Sequence, residues 1–317
     1  MYCKIQTPSL TLFSNLTYLE LTNVKIEEES FFKWISQSCK CIEALNLDDV
    51  YGIKNINIES SSLKSFYFER VNQTSICHLK ISGEKLGRIL IDWRFDSPSN
   101  NSFNVSAPNL KSFYWLGNLI SHSNMRELVC LEQVGFYLEP EDDYQDVLDD
   151  IGDSFWCSFL ILKENAMKEL YNKGILPTLF GDICYLQLHI GSFSNDLVPS
   201  MVCLFTALPN LSTLYIKSTA PLLDFGSNIS GFKVGYWEQQ NLGFICKLKE
   251  ITIDLSNGSN GMEFTSYMLQ HAQCLEKTVI VYLPHQSKIV KEMLDRSNTI
   301  STGIVVLKKN RCKRKLV

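Results

Sequence analysis

The chain has 317 residues, is 45% hydrophobic and carries a formal net charge of -4 at neutral pH, so it is long enough to bury a large core. The slightly acidic balance gives no global positive field, which argues against nucleic acid as a partner. No stretch of about 20 residues is uniformly apolar, and no basic segment followed by a hydrophobic one comes after Met1. We therefore expect a cytoplasmic or nuclear protein, or one found in both compartments, with no membrane partner.

A Leu-x-x-Leu-x-Leu phrase recurs five times in the first part of the chain, at steps of 26, 21, 23 and 24 residues. Its second and third apolar positions point to one side of a short strand, because side chains alternate along β structure. The steps match the period of about 20 to 29 residues that is typical of leucine-rich repeats. The apolar positions of the five copies are Leu16, Leu19 and Leu21; Ile42, Leu45 and Leu47; Leu63, Phe66 and Phe68; Leu86, Ile89 and Ile91; and Leu110, Phe113 and Trp115.

Four looser copies follow, and a step of 37 residues between two of them predicts helices or loops inserted between strands. We predict an α/β fold: a leucine-rich-repeat solenoid with parallel strands on the concave face, helices and loops on the convex face, and an α/β cap at the C-terminus. The looser copies are Ile183, Leu186 and Leu188; Leu211, Leu214 and Ile216; Leu248, Ile251 and Ile253; and Leu275, Val279 and Val281.

Several connecting segments also carry a readable pattern. Apolar residues at helical spacing predict helices in 27–38 and 197–208, whereas the Ser, Asn and Pro content of 96–108 predicts a surface loop. The segment 139–153 holds eight carboxylates. It reads as a solvated helix or loop, and binding of a divalent cation or a basic partner is the alternative.

The sequence contains no motif that indicates catalysis. It has no nucleophile elbow, phosphate-binding loop, dinucleotide fingerprint or paired-histidine metal motif. The eleven cysteines are scattered, and Cys39 and Cys41 have no second pair to complete a zinc site. We therefore expect buried free thiols, no metal, no cofactor and no enzyme activity.

The strand positions that alternate with the apolar ones form a predicted exposed face rich in tyrosine and carboxylate. Tyrosine supplies contact area and a hydrogen bond at low entropic cost, so this mixture favours recognition of a basic protein segment. An ordinary solvated surface is the alternative. The candidate residues for partner binding are Tyr18, Glu20, Asp48, Tyr67, Glu69, Arg88, Asp92, Tyr114, Tyr215 and Lys217.

Residues 237–308 carry an ordered set of motifs: Leu-Lys-Glu-Ile-Thr-Ile from position 248, a glycine-bearing turn, Glu-Phe at 263, and Tyr267 to Leu275 with Ala272 between them. This set resembles the FBD domain that closes many plant F-box/LRR proteins, with His271 where that domain customarily has asparagine. The resemblance divides the chain into repeats over 1–236, an FBD-like cap over 237–308 and a basic tail over 309–317.

The resemblance implies the substrate-binding part of a cullin-RING ubiquitin ligase subunit, which is non-catalytic and binds a protein substrate. In that family an F-box binds the Skp adaptor, and no F-box-like helix set precedes the first repeat here. We therefore expect a chain truncated of its F-box, which meets the Skp adaptor and cullin only through an upstream F-box or a cryptic docking element. The alternatives are an adaptor-free decoy or scaffold, and a small-molecule, hormone-like receptor whose cavity Trp93, Trp115 and the tyrosines would line.

Overall fold

The computed structural model describes residues 3–8, 13–70, 76–95, 101–118, 122–124, 128, 130–138, 158–173, 178–218, 232–255, 259–297 and 304–309. Contacts between Cα atoms divide the chain into two units, Met1–Trp156 and Cys157–Val317. The predicted boundary at residue 237 falls inside the second unit. The predicted acidic segment 139–153 and residues 310–317 of the basic tail lie outside the described residues.

The main sheet of the first unit has one strand for each of the five strong phrases, as predicted. All neighbouring strands are parallel, and the apolar positions share one register, so that Leu19 lies beside Leu45 and Leu45 beside Phe66. A sixth strand, which the sequence analysis missed, follows the same spacing at Val134 and Phe136. The strands in order are β2 (Tyr18–Thr22), β4 (Ala44–Asp48), β6 (Ser65–Arg70), β8 (Arg88–Trp93), β10 (Ser112–Gly117) and β12 (Gln133–Leu138).

A second parallel sheet occupies most of the connections in the first unit, where helices and loops were expected. The helix predicted in 27–38 is confirmed as α1 (Ser30–Ser38), but the predicted loop 96–108 contains a strand on which Phe103 and Val105 are buried. The four strands are β5 (Asn55–Glu59), β7 (His78–Ser82), β9 (Ser102–Ser106) and β11 (His122–Asn124); β1 (Cys3–Ile5) and β3 (Val24–Ile26) form a separate parallel pair.

Aromatic side chains fill the core of the first unit. The ring of Phe103, from the second sheet, lies 5.9 Å from that of Phe113 and 5.3 Å from that of Trp115, both on the main sheet. Trp93 continues the cluster, 6.1 Å from Phe68 and 6.2 Å from Trp115. Trp93 and Trp115, two of the residues expected to line a ligand cavity, are therefore both buried and packed against other core rings.

The second unit combines six parallel strands with helices in their connections. Its strands are β13 (Phe159–Lys163), β14 (Tyr185–Ile190), β15 (Thr213–Ser218), β16 (Glu250–Asp254), β17 (Lys277–Tyr282) and β18 (Ile304–Lys309). Its helices are α2 (Glu164–Lys173), α3 (Val198–Thr206), α4 (Val234–Gln239), α5 (Ser259–His271) and α6 (Ser287–Ser297). Its described residues also form 3-10 turns at Thr178–Asp182, Gly243–Lys247 and Pro284–Gln286. The helix predicted in 197–208 is confirmed.

The C-terminal succession of strand, helix, strand, helix and strand follows the predicted order, but one register was wrong. The sequence phrase placed Val279 and Val281 on the core side of β17. In the structure Ile280 pairs with Ile253, and Thr278 lies in the same buried row. The slip arose because threonine is not counted as apolar, and a shift of one residue exchanges the two sides of a strand.

A buried asparagine joins three segments of the second unit. Asn260 is the second residue of α5, and its side-chain amide donates to the carbonyl of Phe193 and to Oδ1 of Asn195, each at 2.8 Å. Its Oδ1 accepts the backbone N–H of Phe232 at 2.6 Å. Nearby, Phe264 stacks on Phe205 at 5.5 Å. The amide is therefore satisfied inside the unit, as a buried polar group must be.

The thiol prediction is only partly correct. The structure describes eight free cysteines, of which Cys39 is buried. Burial raises the pKa of the Cys39 thiol, which keeps it protonated and unreactive. Four others, Cys41, Cys130, Cys246 and Cys274, are exposed, so their scatter reflects surface positions as much as core packing.

We expect Phe103→Ala to lower the free energy of unfolding by about 3 to 5 kcal/mol, because it removes a buried ring that joins the two sheets of the first unit. Urea denaturation followed by tryptophan fluorescence measures the change. Phe13→Ala is the matched control, since Phe13 is 40% exposed and its ring contacts Trp34 edge to face at 5.4 Å. The free energy of unfolding of the control should fall by less than about 1.5 kcal/mol. Equal decreases in the two variants would contradict this packing.

Candidate functional site

Polar side chains of the first unit's main sheet line up in rows across neighbouring strands. Residues at the positions that alternate with the core residues face away from the core, and they share the same parallel register. One such row places Asp48 beside Glu69 and Glu69 beside Asp92. Because neighbouring strands lie about 4.8 Å apart, these carboxylates are immediate neighbours. We call Asp48, Glu69 and Asp92 the acidic row.

Asp48 carries the clearest electrostatic signature in this row. Partial burial raises the pKa of its carboxyl group, and the charges of Glu69, Asp49 and Glu20 raise it further. None of the ion pairs between residues that the structure describes involves Asp48 or Glu69. This end of the acidic row therefore holds negative charge that no described cation neutralises.

Two tyrosines on this face hold neighbouring carboxylates in place. Tyr18 Oη donates to Glu20 Oε2 at 2.7 Å, and Tyr67 Oη donates to Glu69 Oε2. Asn46 Nδ2 in turn donates to Tyr18 Oη at 3.0 Å. The hydrogen bond to Glu20 is the main reason that the pKa of Tyr18 is raised. Each phenol thus orients the carboxylate two residues further along its own strand.

Two predicted contact residues are buried, and the prediction that they are exposed is wrong. Asp92 is 2% exposed, and its two carboxylate oxygens accept from Nε and Nη2 of Arg94, each at 3.2 Å. Tyr114 is 8% exposed and donates to Gln133 Oε1 at 3.0 Å. Strand alternation identifies the side to which a residue points but not what covers it. Here the residue two positions after Asp92 folds back over it.

The other predicted residues occupy separate places. Arg88 is exposed and lies in a different row, beside Ser65. Tyr215 and Lys217 belong to β15 in the second unit, where Lys217 lies beside His189. Near them, burial raises the pKa of Asp254, and the charge of Lys217 opposes that rise.

A hydrogen-bonded line of side chains along β14 was not predicted from the sequence. Tyr185 Oη donates to Gln187 Oε1 at 2.7 Å, and the Gln187 amide nitrogen lies 2.7 Å from Nε2 of His189. Because the Gln187 oxygen accepts from the phenol, its amide nitrogen is the donor to His189. The signal was the alternation Tyr-x-Gln-x-His, which is common to many solvated strands and therefore did not stand out.

An open polar groove of about 770 Å³ lies between α1 and β5. Glu29 Oε1 accepts the backbone N–H of Asn55 at 3.1 Å, and Ser36 Oγ accepts that of Glu59 at 3.0 Å. Side chains near both ends of α1 thus accept hydrogen bonds from backbone N–H groups on the outer edge of β5. These side chains cover the open edge of β5 in place of a neighbouring strand.

Within the described part of the chain, no group of three or more His, Cys, Asp or Glu side chains is arranged to hold a metal ion. Of the helices traced there, none is long and apolar enough to cross a membrane. Comparison with protein-family models and with curated proteins found no match.

We expect Asp48→Asn to stabilise the protein at neutral pH, raising Tm by about 1 to 2 °C. A raised pKa in the folded state means that the ionised carboxyl is disfavoured there, so stability falls as pH rises from the ordinary value of 3.8 through the raised one. Below pH 3.8 the gain should vanish. Thermal unfolding from pH 3 to pH 8 measures it.

Glu59→Gln is the matched control for this effect. Glu59 is exposed on β5 and lies beside Ser82, not beside another carboxylate. Its neutral variant should unfold within error of the parent at every pH. A stabilisation that does not depend on pH, or one that Glu59→Gln reproduces, would contradict the like-charge account of Asp48.

Proposed function

We propose that this chain is a non-catalytic protein-recognition module that binds a basic segment of a partner protein at the acidic row. The observation that carries the proposal is the pair formed by Asp48 and Glu69, which lie side by side on adjacent strands without a described cation between them. Like charges at this separation cost stability in the free protein. A lysine or arginine from a partner would offset that cost.

The surroundings of the pair suit such a partner. Tyr67 orients Glu69 through its hydrogen bond, so less side-chain freedom is lost when a cation binds. Asp48 and Glu69 are half-buried, which strengthens a charge-assisted hydrogen bond relative to one in open solvent. Tyr18 and Glu20 are exposed, and they extend this surface onto β2. Together these groups offer acceptors for an extended basic segment.

The architecture that we propose is a leucine-rich-repeat solenoid with an FBD-like cap. Its support is the recurring phrase, whose strands stack in one parallel register, and the helices in the connections of the second unit. The C-terminal order of strands and helices is consistent with the cap. The second sheet in the first unit stands where convex helices were expected. The connections of this unit carry short segments in which apolar and polar residues alternate, such as the one that contains Phe103 and Val105.

The resemblance extends this proposal to a role as the substrate-binding part of an F-box/LRR/FBD subunit of a cullin-RING ubiquitin ligase. An adaptor-free decoy or scaffold would bind the same partner through the same surface. Purification from plant extract separates the two roles. Skp adaptor and cullin that accompany the chain favour a ligase subunit, whereas basic proteins retained without them favour a decoy or scaffold. A small-molecule receptor is the less favoured alternative, since Trp93 and Trp115 are buried core residues.

We expect Glu69→Gln to weaken binding of a fluorescein-labelled, Lys/Arg-rich peptide by roughly three- to tenfold, because a partly exposed ion pair contributes about 1 kcal/mol. Fluorescence anisotropy at low and at physiological salt measures the dissociation constant. The parent affinity should fall as salt rises, since salt screens exposed charges.

Glu59→Gln is the control here as well, because it removes the same charge from the second sheet of the same unit. It should bind the basic peptide as the parent does, and a Glu-rich peptide should bind neither protein. Equal losses of affinity in the two variants would mean that the effect depends only on the net charge of the protein. No loss in Glu69→Gln would remove the acidic row as the binding site.

A further inference from the structure

The last strand of the second unit, β18, has an open edge. It pairs on one side with β17, and it is the final strand in the order of its sheet. The backbone N–H of Ile304 donates to the carbonyl of Glu276 at 3.0 Å, so Ile304, Val306 and Lys308 direct their backbone groups toward β17. Alternation then directs those of Val305 and Leu307 outward. No described strand lies beside these groups.

Exposed apolar side chains are concentrated at this same strand. Ile304 is 71% exposed, Val305 39% and Leu307 40%, and these are three of the seven large hydrophobic residues that are exposed in the described part of the chain. Val305 and Leu307 continue the core rows, beside Thr278 and Ile280 of β17. The core of this unit therefore reaches solvent at β18. An open edge with uncovered apolar side chains is the kind of surface on which a further strand adds.

We propose that the occupant of this edge is a second copy of the chain, with the two β18 strands antiparallel about a two-fold axis at Val306. In that register Val305 of one copy lies opposite Leu307 of the other, and the two residues exchange their outward backbone hydrogen bonds. Both side chains lie in the core rows, so the pair extends the apolar surface across the axis. The same contact recurs by symmetry, which closes the dimer.

The charges on β18 select this arrangement. Two lysines, Lys308 and Lys309, stand at the C-terminal end of the strand. A parallel pair of strands would place each lysine beside its own copy, and like charges directly opposite are destabilising. In the antiparallel register Lys308 lies opposite Ile304 of the other copy, and the lysine-bearing ends point away from each other. The sequence of the strand thus favours a two-fold antiparallel dimer over a parallel one.

Light scattering coupled to size-exclusion chromatography tests the proposal on the full chain. The parent should approach twice 36.3 kDa as its concentration rises, whereas Leu307→Lys should stay at 36.3 kDa. Ile289→Lys is the matched control, because Ile289 is also exposed but lies on α6. It should dimerise as the parent does. A parent that stays monomeric at every concentration would overturn the proposal and leave the edge to a strand of another protein.

A disulfide trap tests the register and does not depend on how Leu307→Lys folds. Val306 meets its own copy at the axis, where the Cβ atoms of opposite residues lie about 4.5 to 5.5 Å apart. Val306→Cys should therefore form a cross-linked dimer under mild oxidation, and peptide mapping should identify the bond between the two introduced cysteines. Lys308→Cys should not, because its copy lies four residues along the strand. The reverse result, or no difference between the two variants, would contradict the antiparallel pairing.

Discussion

The shared parallel register of the strands determines both the core and the polar surface of each unit. In each unit the apolar positions of one strand lie beside those of the next, as Leu45 lies beside Leu19 and Phe66. Because side chains alternate, the same register that builds the core also aligns the polar residues between the apolar ones. A slip of one residue in any strand would exchange these two sets. Core packing and the candidate binding surface are therefore products of one pairing pattern.

The acidic row shows how this pattern assigns different roles to similar residues. Asp92 is buried and accepts two hydrogen bonds from Arg94, so its charge is neutralised within the unit. Asp48 lies two strands away, half-buried among carboxylates, and its raised pKa reflects that burial and the neighbouring charge. The Asp48 carboxylate lowers the stability of the free protein, and a bound cation would restore that stability. Such a group is better suited to binding than to packing. We therefore place the proposed contact at Asp48 and Glu69.

The predictable part of the structure is the part that depends on regular alternation. The strong phrases predicted their strands because each places apolar residues at alternate positions, and in four of the five strands both of these residues are buried. Prediction failed where local composition was ambiguous: Phe103 lies in a Ser- and Asn-rich segment that resembles a loop, and Thr278 fills a core position with a residue counted as polar. The burial of Asp92 depends on how Arg94 folds back, which no pattern in the strand encodes. Surface predictions are weaker than core predictions for this reason.

Site-specific photo-crosslinking can identify what binds at the acidic row, where we propose that a basic protein segment docks. A benzophenone amino acid placed at Tyr67, next to Glu69 in the sheet, would label whatever occupies this surface in a cell extract. Tyr171, which is exposed on α2 in the second unit, is the matched control position. Peptides cross-linked at Tyr67 should be rich in lysine and arginine. Cross-links no more frequent than at Tyr171, or cross-links to acidic peptides, would contradict it.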